Sequence, residues 1–190
     1  MGYILTGSIA TGKSSVSKLL KSLGFEIVDA DKIAKELINP SEIEKLFGEE
    51  YIKDGEVDRK RLGALIFSDS KKRALLESYL HPLIREEISK RVNRLKEEGG
   101  EYILDIPLFF ESGEGYDKDE GVIVVYAPYK LQLSRLMKRD GLSEEEAKAR
   151  IESQIDIEKK KKLADFIIDN SRDFKHLKDE VERFYASIKV

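Results

Sequence analysis

Five short apolar runs punctuate the chain, at residues 3–6 (YILT), 26–28 (EIV), 102–106 (YILDI), 122–126 (VIVVY) and 166–168 (FII). Each gives way to polar or turn residues, the pattern of strands buried on both faces. Between them, apolar positions recur at helical spacing over residues 14–23, 73–95, 128–138 and 144–163. Strands alternating with helices predict an α/β fold with a mainly parallel sheet flanked by helices. Helix starts are legible too: Ser143 with Glu146 forms a capping box, and Pro128 suits a first helical turn. From Asn39 to about Leu95 no strand signal remains, and the turn KDGEVD (53–58) divides helical segments whose apolar faces include Leu75, Leu76, Leu80, Leu83, Ile84 and Ile88. This stretch is expected to be a helical insertion between the second and third strands. Repeats, low-complexity tracts and flexible linkers are absent, so one compact body is expected.

Composition narrows the class. The 190 residues include 34 basic and 37 acidic side chains, for a formal charge of −3, so no global field gathers nucleic acid or an anionic membrane. With no cysteine and two histidines, disulfides, thiolate metal sites and a cysteine nucleophile are excluded, and zinc chemistry is disfavoured. The first apolar segment is too short for a signal peptide, and no run approaches the ~20 residues of a membrane span. A cytoplasmic location is expected, with neither nucleic acid nor membrane as partner. The sequence sets no oligomeric state.

The chemistry concentrates in LTGSIATGKSS, residues 5–15, which matches G-x-x-x-x-G-K-[ST] with Gly7, Gly12, Lys13 and Ser14 at the fixed positions. A strand precedes it and a helical run follows, the context that a phosphate-binding P-loop requires. Glycines let backbone N–H groups turn inward around phosphate oxygens, and the helix N-terminus adds partial positive charge. The expected ATP contacts are Gly7, Ser8, Ile9, Ala10, Thr11, Gly12, Lys13, Ser14 and Ser15, with Lys13 on the β and γ phosphates and the Ser14 hydroxyl on Mg²⁺. Switch GTPases carry D-x-x-G and [NT]-K-x-D, and neither occurs here. A short chain with a helical insertion better suits a small-molecule kinase.

Asp29 and Asp31 close the second strand in GFEIVDADKIAKEL, where ligands of an open parallel sheet gather. Asp31 is a candidate base for an acceptor hydroxyl, with a helix N-cap as the plainer alternative. ILDIPLFFE ends the third strand similarly. Asp105 is placed to hold Mg²⁺ through water, while Pro107, Leu108 and Phe109 offer an apolar wall for the acceptor with Glu111 nearby; ordinary core packing competes for the phenylalanines. Arg139, near a helix end, suits a transferring phosphoryl group, with Arg135 and Arg150 as further candidates and Gln154 one turn beyond Arg150 on the same face. EKKKK (158–162) reads as a solvated helix face. The loop after the fifth strand, Asp169 to Ser171, is a candidate border for adenine.

Taken in order, the P-loop, GFEIVDADKIAKEL, FGEEYIKDGEVDRKRLGALIFSD, LLESYLHPLI, ILDIPLFFE, RLMKRDGLSEEEAKARIESQ and ADFIIDNS resemble the dephospho-coenzyme A kinases over residues 3–171. That resemblance implies ATP-dependent phosphorylation of the ribose 3′-hydroxyl of dephospho-coenzyme A, the last step of coenzyme A biosynthesis. It also implies a nucleotide-binding core (residues 1–38 and 97–190), a helical substrate domain (39–96) and a lid (about 135–154). Asp31 matches the second acid of the family's D-A-D motif, the base for the ribose hydroxyl, and His81 with Pro82 matches its His-Pro. Asp58 and Arg59 match its D-R pair, with Arg59 at the substrate; a capping residue beside a surface arginine is the alternative. Catalytic work is thus expected of Lys13, Asp31 and Arg139, ATP contacts also of Arg139, Asp169 and Asn170, and substrate contacts of Asp31, Arg59, His81, Pro107, Leu108, Phe109 and Glu111. One departure is visible: the family loop reads G-G-I-G-S-G-K-[ST], and Ser8 and Ala10 here replace two glycines. Two other readings stay open, a kinase for another hydroxylated acceptor and a nucleotide-controlled binding module.

Overall fold

Each apolar run becomes a strand, and all five join one parallel sheet in the spatial order 26–29, 102–105, 2–7, 122–126, 166–169. The computed structural model describes residues 1–112, 116 and 119–189. Along the chain these strands are β1 (Gly2–Gly7), β2 (Glu26–Asp29), β5 (Tyr102–Asp105), β6 (Val122–Tyr126) and β7 (Phe166–Asp169). Register runs Ile4 with Leu104 on one side of β1 and Ile4 with Val122 on the other. β1 is therefore central, and successive strands are added first on one flank and then on the other. At such a reversal the loops leaving the C-terminal strand ends splay apart and leave a crevice. The segment after β1 lies at that crevice.

Helix α1 (Lys13–Ser22) and helix α10 (Phe174–Ser187) share a core with the sheet. Tyr3 and Leu5 of β1 meet Val16 and Leu20 of α1 and Leu177, Val181 and Phe184 of α10. Tyr3 stacks edge-on against Phe166 and Phe184, with centroids 5.7 and 5.4 Å apart. Edge-to-face pairs of this kind add about 1 kcal/mol each beyond their buried area. A second, smaller cluster joins α7 (Tyr129–Asp140) to α8 (Glu144–Glu152) through Leu136, Ala147 and Ile151. The capping box expected at Ser143 and Glu146 is present, and Pro128 caps α7 from the position ahead of its first turn. The helical stretch expected over residues 144–163 is broken: α8 ends at Glu152, and α9 (Ile157–Lys162) starts afresh with Asp156 as its cap. A side-chain cap offers its own acceptor to the new helix's first amides, so periodicity alone cannot reveal the break.

The chain divides into two compact units, Met1–Asp29 with Val92–Val190, and Ala30–Arg91. The second unit thus begins at Ala30, ahead of the Asn39 boundary expected from the sequence. It holds α2 (Ala30–Leu37), α3 (Pro40–Phe47), α4 (Arg59–Ser68) and most of α5 (Ser70–Glu97). Asn39 caps α3 by accepting from the Ser41 amide, with Pro40 in its first turn, and Asp58 caps α4 by accepting from the Arg61 amide. This stretch is not wholly helical: β3 (Ile52–Lys53) and β4 (Glu56–Val57) form a hairpin around Asp54 and Gly55, whose φ values are 52° and 79°. Two positive φ values in a two-residue loop match strand twist. Strands of two residues are too short to show alternation in sequence.

Leu20 is fully buried between α1 and the sheet. Leu20→Ala is expected to destabilise the chain by about 2–5 kcal/mol, measured as a lowered urea midpoint with an unchanged slope.

Candidate active site

β1 ends at Gly7, and the chain then curls through residues 8–12 before α1 begins at Lys13. Thr11 closes the curl, donating both its amide and its hydroxyl to the Ser8 carbonyl at 3.2 and 2.8 Å. Gly12 caps α1 with φ 93°, and its carbonyl accepts from the Ser15 amide at 2.9 Å. The amides of Lys13 and Ser14, opening the helix, have no preceding turn to satisfy them. The two fixed glycines are required by space as well as by conformation. A Cβ on Gly7 would lie 2.8 Å from the Thr11 hydroxyl, and one on Gly12 would lie 2.1 Å from the Asn170 amide nitrogen.

Three side chains from the last third of the first unit hold this curl from outside. Gln154 Oε1 accepts from the Ile9 amide at 2.8 Å. Asn170 Nδ2, almost fully buried, donates to the Thr11 carbonyl at 2.7 Å. Lys160 Nζ donates to the Gly7 carbonyl at 3.4 Å. Ile9 and Ala10, at the tip, pack against the α7–α8 cluster. Gln154 does not continue the Arg150 face as expected, because α8 has ended and Gln154 lies in the turn that follows. Lys160 corrects a larger expectation: within the run read as solvated it is completely buried, paired with Glu111 Oε1 at 2.6 Å. Burial pulls its ammonium below the ordinary lysine pKa, and Glu111 opposes that pull.

Lys13 pairs with Asp105, which is buried at the end of β5. The expected phosphate-binding lysine and the expected Walker-type carboxylate are thus in contact, while Ser14 stands exposed in the first turn of α1. Arg135 donates from Nη2 to the Asn170 carbonyl at 3.0 Å, and its Nη1 is buried without a partner among the described residues. Desolvation lowers its pKa. Arg139 forms two hydrogen bonds to the neighbouring Asp140 at 2.6 and 2.9 Å, and Arg150 approaches the same carboxylate at 3.4 Å. Asp169 is engaged locally, accepting from the Ser171 amide and hydroxyl at 2.9 and 3.0 Å. After β5, Leu108 is exposed and Phe109 buried, with Pro107 between the two extremes. Glu111 is drawn into the Lys160 pair and also accepts from the Ile155 amide at 3.0 Å. A cavity of about 550 Å³ opens beside Ser8 and Gln154, lined also by Tyr129, Gln132 and Leu163. Neither Lys13 nor Asp105 borders it.

The second unit carries Asp31, Arg59 and His81. Asp31 is exposed inside the first turn of α2, one residue past the helix start, and is not its cap. Its carboxylate has no hydrogen bond or ion pair among the described residues. Arg59, the first residue of α4, donates from Nη2 to the Lys35 carbonyl at 3.0 Å, and Asp58 is a cap, as its alternative reading held. His81 and Pro82 are exposed within α5. Proline has no N–H to donate to the preceding turn.

A family model for dephospho-CoA kinase matches residues 3–176. The chain belongs to the dephospho-CoA kinase family. It is 50% identical over 188 residues to the dephospho-CoA kinase of Sulfurimonas denitrificans, covering 98% of this chain and 93% of that one. It is 46% identical over 187 residues to the enzyme of Wolinella succinogenes, at 97% and 93% coverage. Among solved structures, a dephospho-CoA kinase from Campylobacter jejuni superposes with a TM-score of 0.77 at 41% identity, covering 98% of this chain and 96% of that one. The chain is therefore a phosphotransferase with the P-loop kinase fold, and its family uses ATP as phosphate donor. No helix among the described residues is long and apolar enough to cross a membrane.

Within this family setting the departure at Ala10 acquires a cost. Ala10 has φ 62°, in the left-handed region where a Cβ crowds the following carbonyl. Ala10→Gly is expected to raise stability by about 1 kcal/mol, read as a higher melting temperature with the ATP KM within about 2-fold of the parent.

Proposed function

We propose that this chain is itself a dephospho-CoA kinase, moving the γ-phosphoryl group of ATP to the 3′-hydroxyl of the substrate ribose in the cytoplasm. The observation that carries this reading is the Lys13–Asp105 pair at the foot of a loop whose curl is held by residues far along the chain. Phosphoryl transfer needs little covalent help from protein; positioning and charge stabilisation supply most of the rate. The loop amides and the start of α1 receive the phosphates, and Lys13 exchanges Asp105 for the β and γ oxygens. Arg135, half-buried, with its Nη1 buried and unpartnered among the described residues, is suited to an anionic ligand. Arg139 is held by Asp140 at the protein surface, where solvent screens the pair, so turning to the transferring group costs little. The α7–α8 pair that carries both arginines serves as the lid, and Asn170 and Asp169 border the nucleotide from behind the loop.

Mg²⁺ fits the residues present. It is bound in kinases chiefly by phosphates and water with one or two protein oxygens, and the exposed Ser14 hydroxyl together with the carboxylate of Asp105, the partner of Lys13, meets that need. When bound, it neutralises charge on the β and γ phosphates.

To the acceptor we assign the residues that match the family's motifs: Asp31, exposed and without a hydrogen bond or ion pair among the described residues, takes the proton of the ribose hydroxyl, Arg59 and His81 contact the substrate, and Pro107, Leu108 and Phe109 supply apolar contact, Leu108 being the exposed member. Glu111 is assigned a supporting role, since its carboxylate is already occupied.

Mass spectrometry of dephospho-CoA incubated with ATP, Mg²⁺ and the protein is expected to show a mass gain of one phosphoryl group. A panel of nucleoside monophosphates and sugars in its place is expected to stay unmodified. Lys13→Ala should lower kcat by about 10²–10³-fold. Asp31→Asn should lower kcat by about 10²–10⁴-fold while leaving the ATP dissociation constant near that of the parent. Wild-type turnover by Asp31→Asn would remove it as the base.

A further inference from the structure

Lys160 is fully buried, yet it belongs to none of the groups that phosphoryl transfer calls on directly. Its ammonium bonds Glu111 Oε1 at 2.6 Å and the Gly7 carbonyl at 3.4 Å. The same Glu111 oxygen accepts from the Ile155 amide at 3.0 Å, and the Ile155 carbonyl accepts from the Ser8 hydroxyl at 3.4 Å. Next to Ile155, Gln154 holds the Ile9 amide. A closed circuit results, running from the first residue of the loop through Lys160 and Glu111 to the turn after α8 and back to Ser8 and Ile9. The other Glu111 oxygen is buried without a partner among the described residues, so the lysine is the carboxylate's sole counter-charge there.

A buried ion pair is an expensive way to gain stability. Removing two charges from water costs several kcal/mol each, and apolar replacements of similar volume are often neutral or stabilising. Packing alone therefore does not account for an ammonium at this position. Its location does: it joins three segments that must keep register during the reaction, namely the phosphate loop, the segment after β5 that carries Leu108 and Phe109, and the turn at the foot of the α7–α8 pair.

We propose that Lys160, through Glu111, is a positioning residue for phosphoryl transfer, setting the orientation of the Gly7–Ile9 backbone and hence the placement of ATP against the foot of the lid. This deepens the ATP-site reading above and rests on it. Lys160 touches no reacting atom; it acts through the Gly7 carbonyl and the Glu111–Ile155 contact.

Two variants test it. In Lys160→Met the carboxylate is stranded, and in the double variant Lys160→Met with Glu111→Leu the whole pair becomes apolar. Both are measured for melting temperature with and without ATP, and for separate KM values of ATP and dephospho-CoA. Misplacement by about 1 Å can cost about 100-fold in rate, so kcat/KM for ATP should fall by about that factor in both variants, with the KM of dephospho-CoA changed by less than about 3-fold in Lys160→Met. The double variant should melt at or above the parent temperature and still show the kinetic loss and a smaller ATP-induced rise. If it regains parental kcat/KM together with its stability, the pair is only a packing element and the inference falls. If Lys160→Met folds and keeps kcat/KM for ATP within about 3-fold of the parent, the inference falls as well. A parent chain that shows no ATP-induced rise would overturn the ATP-site reading itself, and this inference with it.

Discussion

Turning successive backbone N–H groups toward one point brings like partial charges together, and a loop that does so needs restraints from elsewhere in the chain. Here the restraint is distributed. Gln154, Asn170 and Lys160 each bond a different backbone group between Gly7 and Thr11, and all three come from beyond β6. The sheet supplies the frame: with β1 at its centre, the loop leaves at the reversal of strand order, where segments from both flanks can reach it. Glycine at positions 7 and 12 follows from these contacts, since a side chain at either would meet the groups that close the loop.

The electrostatics follow from the same constraint. With the loop curled, Lys13 lies against Asp105, the last residue of β5, and the pair keeps a cation at the foot of the loop without leaving it uncompensated. α1 carries no acidic residue in its first turn, so its positive end is not neutralised from within. Arg135 and Asn170 are bonded to each other, which links α7 to the same restraint. The shape of the loop and the position of α7 are in this sense set by one group of contacts.

Much of this was legible from residue order. Parallel strands buried on both faces leave continuous apolar runs, so all five strands of the sheet could be read, and the P-loop needed only its two glycines, lysine and serine between a strand and a helix. What could not be read depended on side chains meeting across long sequence separations. Lys160 sits among charged neighbours, and nothing local distinguishes the one lysine of that run that turns inward to Glu111. Gln154 followed a helical period that Asp156 interrupts by starting a new helix. The β3–β4 hairpin has strands of two residues, below the length at which alternation shows. Asp31 was marked by its motif, and the structure adds that it stands inside the first turn of α2 with its carboxylate exposed.

A crystal structure of the chain with ATP and Mg²⁺ tests the central claim most directly. The claim predicts the triphosphate within the curl of residues 7–14, the Gln154 and Asn170 bonds to the loop retained, and Lys13 Nζ moved from Asp105 onto the β and γ oxygens. A triphosphate bound elsewhere, or Lys13 still paired with Asp105 beside a bound nucleotide, would contradict it.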